Sequence, residues 1–249
     1  MSVGRVIFIG AGPGAADLIT VRGARLLAQA DVVLFDALTD PALRELAPNA
    51  KWVNVGKRGF CDSTGQALIN ALLVRYANEV AVVVRLKGGD PSVFGRLEEE
   101  LGALAHAGIA CEVVPGITAA TAAAAATQRP LTRRGSGRSV SLTTAMTREG
   151  QLHAARTADT EVFYMAGKQL AALARRLVAA GWAGDTPVSV VSRAGWPDQL
   201  HSDHALAELG RASMLHAGRP TVVTVGAGAA PLTRAAAETR LPVAAAVPT

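Results

Sequence analysis

A buried strand that runs directly into a glycine-rich turn limits what this chain can fold into. Residues 80–84 are apolar and mostly β-branched, which is typical of a strand covered on both faces. The next segment, Arg85–Arg96 (RLKGGDPSVFGR), contains glycines, an acid and a proline, which end a strand and let backbone approach a ligand closely. Glutamates follow at 98–100, as the first turn of a helix favours. The stretch therefore predicts a strand, a turn and a helix in succession.

The same alternation extends over the N-terminal half of the chain. Besides the run at 80–84, strands are predicted at 3–9, 31–36, 52–55 and 109–114, and helices at 41–46, 66–76 and 98–107. Because strands that alternate with helices pair in parallel, we expect a mostly parallel sheet. Ligands bind at the carboxyl ends of such strands, which makes 85–96 a candidate ligand loop. A tight turn without a ligand is the alternative that this segment alone leaves open.

The strands predicted for the C-terminal half show more alternation of polar and apolar residues. They lie at 139–145, 161–165, 187–191 and 220–225, with helices at 168–180 and 204–209. Such alternation favours a mixed, partly antiparallel sheet. We therefore predict an α/β protein with an N-terminal α/β domain at 1–116, a C-terminal α/β domain at 117–228 and a disordered tail at 229–249.

Charge and composition exclude several classes of function. The net charge of +5 predicts an anionic partner, but no basic stripe is interleaved with aromatic residues, so nucleic acid is not expected. No apolar run reaches the ~18 residues that span a bilayer. The N-terminus enters a strand without a cleavable signal, and we therefore expect a cytoplasmic protein with no membrane partner.

Neither the cysteines nor the histidines predict a metal site. Cys61 and Cys111 have neither the number nor the spacing of a zinc site or a disulfide framework. His201 and His204 could form a pair of metal ligands, but no further candidate ligand is near them in sequence. We therefore expect no metal.

The glycine loop after the first strand allows a second interpretation. Gly10–Gly14 follows a strand and precedes a helix, and Asp36 ends the next strand, as in a dinucleotide-binding fingerprint. Pro13 argues against that fingerprint because it lacks the backbone N–H that a phosphate-binding turn would use. A nicotinamide-dependent dehydrogenase stays open as an alternative.

Several stretches in this order resemble the stand-alone uroporphyrinogen-III C-methyltransferases. They are Gly10–Gly14, Phe35-Asp36, Gly56-Lys57-Arg58, Arg85–Arg96, Pro115–Ala120, Pro130-Leu131-Thr132 and Phe163-Tyr164-Met165. The resemblance extends over residues 3–226. It implies two domains with the active site in the cleft between them, and a homodimer. It also implies S-adenosylmethionine (SAM) as methyl donor, with S-adenosylhomocysteine as the product of the donor. The substrate would be an anionic tetrapyrrole that is methylated twice, at carbons 2 and 7. The methylated product would be precorrin-2, used for siroheme or cobalamin. A relative of the same fold acting on a later corrinoid precursor or a diphthamide intermediate is the alternative.

The resemblance also implies roles for individual residues. SAM-contacting positions of the family fall on Pro13, Gly88, Gly89, Asp90, Val93, Thr118, Ala119, Met165 and Ala194. Asp36 falls on the proposed proton acceptor and Lys57 on the proposed proton donor. The residues alone leave alternatives open: Asp36 as a strand-end cap, Lys57 as a solvated loop cation and Met165 as a core residue.

Arginines that follow predicted strand ends are expected to bind the carboxylates of the macrocycle. The candidates are Arg58, Arg96, Arg133 and Arg134, with an ordinary basic surface as the alternative. The chain departs from the family pattern at three places. Arg133-Arg134-Gly135 replaces His-Arg-Asp, Ala166 replaces a glycine, and Ser192-Arg193-Ala194 replaces Glu-Asn-Gly.

Overall fold

Within the residues that the structure describes, two five-stranded sheets form the framework. The computed structural model describes residues 3–56, 65–145, 152 and 154–232. The predicted α/β class is confirmed, with a parallel N-terminal sheet and a mixed C-terminal one. The division into two domains at residue 116 stays a prediction.

The first sheet has the strand order β3-β2-β4-β1-β5, and every pair in it is parallel. Its elements are β1 (Arg5–Gly10), α1 (Val21–Leu27), β2 (Val32–Phe35), β3 (Lys51–Asn54), α2 (Gln66–Glu79), β4 (Val82–Lys87), α3 (Leu97–His106) and β5 (Cys111–Val114). Val6 and Phe8 of β1 point to the face covered by α2 and α3, while Ile7 and Ile9 point to the face covered by α1. Both faces are therefore buried, which explains the continuous apolar runs.

The central strand β4 continues three residues beyond the predicted run and ends at Lys87. Val83 belongs to the core on the α2–α3 face, so Arg85 and Lys87, two and four residues further on, point to the same face. Both side chains are buried. The sequence interpretation placed these two cations in a turn because a charged residue inside a central strand is rare.

The second sheet has the order β6-β7-β10-β8-β9, with β6 and β7 parallel and the other pairs antiparallel. Its elements are β6 (Val140–Thr144), β7 (Thr160–Tyr164), α5 (Leu170–Ala179), β8 (Pro187–Ser192), β9 (Leu200–Ala205), α6 (Ala212–Leu215) and β10 (Thr221–Gly226). The short helix predicted at 204–209 is present as a 3₁₀ helix at Leu206–Arg211, two residues further along the chain, because β9 continues to Ala205. Strand β9 is a polar edge strand without an apolar pattern in its sequence, and it forms through antiparallel pairing with β8.

An alanine-rich helix, α4 (Ala119–Thr127), connects the two sheets. It follows β5 after a short loop, and its buried alanines pack against Val162, Val191 and Val222 of the second sheet. Small side chains let the helix approach that sheet closely. The loops after the first-sheet strands consequently face the second sheet across a cleft.

Part of the predicted C-terminal tail can be compared with the structure. Ala229 is buried, and its carbonyl accepts a hydrogen bond from Arg129. Residues 233–249 lie outside the described residues. Among the described helices, none has the length and apolar character needed to cross a membrane.

A buried histidine joins three elements of the second sheet. His216 is fully buried, with Nδ1 2.5 Å from Ser192 Oγ and Nε2 2.8 Å from Ser202 Oγ. Burial lowers the pKa of His216 below its ordinary 6.5, and the neighbouring His204, Arg219 and His201 lower it further. The folded protein therefore favours neutral His216.

We predict that the free energy of unfolding falls as the pH drops below 6.5. The unfolded chain takes up a proton at this histidine near pH 6.5, whereas folded His216 does so only at lower pH, so acid favours the unfolded state. The contribution is complete above pH 6.5 and is lost between that pH and the lower folded pKa. Urea unfolding at several pH values measures it. His216→Asn should flatten the profile, whereas His106→Asn, a change at the end of α3, should not. Equal slopes in wild type and His216→Asn would contradict this account.

Candidate functional site

A cavity of about 460 Å³ lies in the cleft and is lined by loops from both sheets. Eleven of the predicted site residues line it: Pro13, Asp36, Gly88, Gly89, Asp90, Val93, Arg96, Thr118, Ala119, Met165 and Ala194. Arg133 and Arg134 are not among its lining residues. Lys57 and Arg58 lie outside the described residues.

Three glycines bring the loops after β1, β4 and β5 into backbone contact. A Cβ on Gly116 would lie 2.3 Å from the Gly89 carbonyl oxygen, and one on Gly10 would lie 2.5 Å from Gly116 Cα. Gly12 and Gly89 also exchange two backbone hydrogen bonds, of 3.3 and 2.7 Å. Backbone atoms cannot yield as a flexible side chain can, so positions 10 and 116 require glycine. Of this glycine junction (Gly10, Gly12, Gly89 and Gly116), Gly12 and Gly89 line the cavity.

Asp90 fastens two of these loops together. Its Oδ2 accepts a hydrogen bond from Gly116 N at 2.9 Å, and its Oδ1 accepts one from Ser92 N at 2.8 Å. The carboxylate therefore fixes the loop after β5 to the loop after β4. Its predicted contact with a ligand stays a prediction.

Asp36 stands at the end of a line of alternating charges. Its Oδ1 accepts from Arg85 Nη2 at 2.6 Å and its Oδ2 from Gly88 N at 3.3 Å. Arg85 Nε donates to Glu100 Oε1 at 3.2 Å, and Lys87 Nζ donates to Glu100 Oε2 at 2.8 Å. The carboxylate of Asp36 thus bonds across strands and, with 31% of its side chain exposed, faces the cavity.

Lys87 lies at the inner end of this ion cluster (Asp36, Arg85, Glu100 and Lys87). Burial lowers the pKa of Lys87, and the positive charge of Arg85 adds to the effect, against the opposing influence of Glu100 and Asp36. Sequence reasoning missed Arg85, Lys87 and Glu100 as parts of the site. The spacing of two between Arg85 and Lys87 along a strand was the available signal for these two residues, but the prediction had ended that strand at residue 84.

The N-terminus of α4 opens onto the cavity through Thr118 and Ala119. Tyr164 supports it: its hydroxyl lies 2.7 Å from Thr118 Oγ1 and accepts a hydrogen bond from Ala120 N at 3.3 Å. Burial raises the pKa of Tyr164, so the hydroxyl stays neutral. The partial positive charge of a helix N-terminus favours an anionic group at this end of the cavity.

Unusual backbone conformations are concentrated around the cavity. Phe94, Arg96, Met165 and Arg193 all have φ between 52° and 58° and all line the cavity. A non-glycine residue is rarely found in this region, and such residues cluster at ligand sites. Met165 is 55% exposed, so its interpretation as a core residue is wrong.

The predicted substrate-binding arginines have different environments. Arg96 lines the cavity and pairs with Glu99, with both N–H···O distances 2.7 Å. The Arg133 guanidinium donates to the carbonyl oxygens of Ala230 and Pro231. Arg134 is exposed. Contact of Arg133 or Arg134 with a substrate stays a prediction.

Within the described residues, no group of three or more histidine, cysteine, aspartate or glutamate side chains is arranged to hold a metal ion. His201 Nε2 lies 3.0 Å from Asp203 Oδ1 and 3.1 Å from Ser189 Oγ. His204 Nε2 lies 2.8 Å from Ser202 Oγ. Both histidines thus have protein partners.

Comparison with protein families and curated sequences gives consistent matches. The family model for the tetrapyrrole (corrin/porphyrin) methylases matches residues 5–210. The uroporphyrinogen-III C-methyltransferase of Pseudomonas aeruginosa is 43% identical over 228 residues, which cover 90% of this chain and 93% of that protein. The siroheme synthase of Azotobacter vinelandii is 42% identical over 232 residues, and there the match spans only 50% of the relative.

Solved structures show the same fold. A uroporphyrin-III C-methyltransferase from Thermus thermophilus complexed with S-adenosylhomocysteine has a TM-score of 0.78 at 35% identity, covering 90% of this chain and 97% of that one. A cobalt precorrin-4 methyltransferase has a TM-score of 0.80 at 30% identity, covering 91% and 96%.

The glycine junction predicts a position-specific effect of adding one methyl group. Gly116→Ala should destabilise the fold by about 1–3 kcal/mol, because its Cβ would meet backbone that cannot move aside. The matched control is Gly102→Ala, in α3, where a Cβ meets no atom within 4 Å. That change should be neutral or stabilising by up to about 1 kcal/mol. Urea unfolding measures both, and equal effects of the two variants would contradict the junction.

The ion cluster predicts a large cost for removing its central charge. Glu100→Gln keeps the shape of the side chain but leaves the buried cations Arg85 and Lys87 without their shared anion. We expect a loss of about 3 kcal/mol in the free energy of unfolding. Glu98→Gln, on the exposed side of the same helix turn, should change it by less than about 0.5 kcal/mol. A loss at Glu100 as small as that at Glu98 would show that the cluster is energetically unimportant.

Proposed function

The chain belongs to the tetrapyrrole methylase family, and from that premise we propose that it is a SAM-dependent C-methyltransferase of uroporphyrinogen III. Its product would be precorrin-2, formed by successive methylation of carbons 2 and 7. The observation that carries the proposal is one cavity, between the two sheets, lined by all nine residues expected to contact the donor. Family membership leaves the dehydrogenase interpretation of Gly10–Gly14 without support.

The proposal for this chain covers methylation only. The siroheme synthases are about twice as long as the segment that matches, so their other activities are not transferred to this chain. Assembly as a homodimer, a cytoplasmic location and delivery of the product to siroheme or cobalamin are further parts of the proposal.

The properties of the cavity suit the donor. SAM supplies an electrophilic methyl group on a positively charged sulfur and leaves as S-adenosylhomocysteine. Because Gly88 and Gly89 lack side chains, backbone can approach the donor at the end of β4. The α4 N-terminus at Thr118 is suited to the carboxylate of its methionine part. Val93, Met165 and Ala194 would provide apolar walls.

The reaction requires the protein to align the donor with the macrocycle and to remove one proton from the macrocycle. Methyl transfer needs the sulfur, the methyl carbon and the macrocycle carbon in line, so positioning contributes much of the rate. The carbon of the macrocycle forms its new bond as the macrocycle loses a proton. Asp36 is our proposed acceptor of that proton, because it faces the cavity and because Arg85 and Gly88 fix its orientation.

Two cationic side chains at the cavity suit a polycarboxylate substrate. Arg96 and Arg193 both line it, and a guanidinium can bind a carboxylate through two N–H groups. Arg193 was not predicted from the sequence as a substrate ligand. The overall charge of +5 agrees with an anionic substrate.

A later corrinoid precursor is the second candidate substrate. The cobalt precorrin-4 methyltransferase matches this fold at least as well by TM-score as the T. thermophilus enzyme, although its sequence identity is lower. The deciding experiment supplies methyl-labelled SAM with either uroporphyrinogen III or a later precorrin and identifies the labelled product by mass spectrometry. We expect label in the singly and doubly methylated products of uroporphyrinogen III. Labelling of the later precorrin alone would overturn the proposal.

Asp36→Asn tests the acceptor. The amide retains the shape of the carboxylate but cannot take up the proton, so kcat should fall by about 10²-fold. Affinity for S-adenosylhomocysteine, measured by calorimetry, should stay nearly unchanged. Asp185→Asn, in an exposed turn before β8, is the matched control and should keep wild-type kcat. A kcat for Asp36→Asn within a few-fold of wild type would assign Asp36 a structural role only.

A further inference from the structure

Trp196 reaches across the cleft from the loop between β8 and β9. Its indole Nε1 donates a hydrogen bond to the carbonyl oxygen of Pro13, at 3.1 Å, in the loop after β1. Both residues line the cavity. A single side chain therefore links the two sheets directly beside the candidate donor site.

The indole also packs tightly on the loop after β1. A Cβ on Gly14 would lie 2.4 Å from Trp196 Cδ1 and 3.0 Å from the Ala194 carbonyl oxygen. A Cβ on Gly195, which has a φ of 80°, would lie 3.4 Å from Pro13 Cγ. At Gly14 the two loops consequently leave no space for a side chain, and at Gly195 a Cβ would be in van der Waals contact with the Pro13 loop.

The position of the indole is fixed by its own loop. The Arg193 guanidinium lies 4.3 Å from the centre of the Trp196 ring, within the range of a cation–π contact. Asp198 accepts a hydrogen bond from Arg193 Nε at 2.7 Å and another from Arg219 Nη2 at 3.1 Å. Trp196 N also donates to the Arg193 carbonyl oxygen at 3.0 Å. Contacts within its own loop thus fix the indole ring, and the indole N–H donates to the Pro13 carbonyl oxygen of the other loop.

We propose that Trp196 is a positioning residue for the methyl donor. It fastens the Pro13 loop of the first sheet to the Ala194 loop of the second and so sets the width of the cavity between them. The contact between Trp196 and Pro13 lies beside Ser192-Arg193-Ala194, which replaces the family's Glu-Asn-Gly in this chain. Only the identity of the bound ligand rests on the proposed function.

Trp196→Phe is the most direct test, because it keeps an aromatic ring and removes the N–H. Loss of one hydrogen bond should raise the Kd for S-adenosylhomocysteine about fivefold, with a similar rise in the KM for SAM. The KM for uroporphyrinogen III and kcat should stay within about twofold, since the hydrogen bond lies on the donor side. A role limited to fold stability would not produce this split between the two KM values.

The matched control is Trp182→Phe. Trp182 is buried in the core of the second sheet, and its indole N–H has no hydrogen-bond partner within the described part of the chain. The same substitution there removes no hydrogen bond and should leave the Kd for S-adenosylhomocysteine unchanged. Thermal unfolding of both variants checks that they fold.

A double-mutant cycle supplies an independent readout of the packing. Gly14→Ala should weaken binding of S-adenosylhomocysteine because its Cβ would displace the indole. In a Trp196→Ala background the same change should have a smaller effect, since the displaced ring is absent. Additive effects of the two changes would contradict the tight contact.

The outcomes separate this inference from the proposed function. Wild-type protein that does not bind S-adenosylhomocysteine would overturn both. Wild-type binding with an equal Kd in Trp196→Phe would overturn the positioning role and leave the methyltransferase proposal standing. A lower unfolding temperature with unchanged Kd would likewise reduce Trp196 to a structural contact.

Discussion

The close approach of three backbone segments at Gly10, Gly89 and Gly116 is the contact on which the rest of the site depends. It brings the loops after β1, β4 and β5 together without side chains between them. That closeness lets the carboxylate of Asp90 connect two loops and lets α4 begin beside the cavity. The second sheet then closes the cleft from the opposite side. A cavity assembled this way has a shape fixed largely by backbone, which suits a reaction that depends on alignment.

The ion cluster behind Asp36 adds a second constraint. Burying Arg85, Glu100 and Lys87 is unfavourable unless each charge is paired, and such clusters contribute little net stability compared with apolar packing. Their arrangement has another consequence: each ion fixes the next, and the last fixes a carboxylate that faces the cavity. We infer that the cluster orients Asp36 and keeps it from turning away from the substrate.

The sequence predicted features that depend on local pattern and missed those that depend on pairing across the fold. The parallel first sheet follows from apolar periodicity, and the cavity-lining loop at 88–93 from glycine and proline positions. Strand β9 was not predicted because its residues are polar, and backbone pairing with β8 forms the strand instead of an apolar pattern. Arg85 was placed in a turn because a charged residue inside a central strand is rare. The contact of Trp196 with Pro13, 183 residues away, was not predicted. Contacts of this kind leave no signature in a single sequence.

The central claim is that loops of both sheets form one donor site around the glycine junction. Amide hydrogen exchange with and without S-adenosylhomocysteine tests it most directly, because exchange reports protection segment by segment. The account predicts that the ligand slows exchange together in four segments, 10–14, 88–93, 116–120 and 193–196, with little change in α5. Protection confined to one sheet, or found only outside these segments, would contradict it.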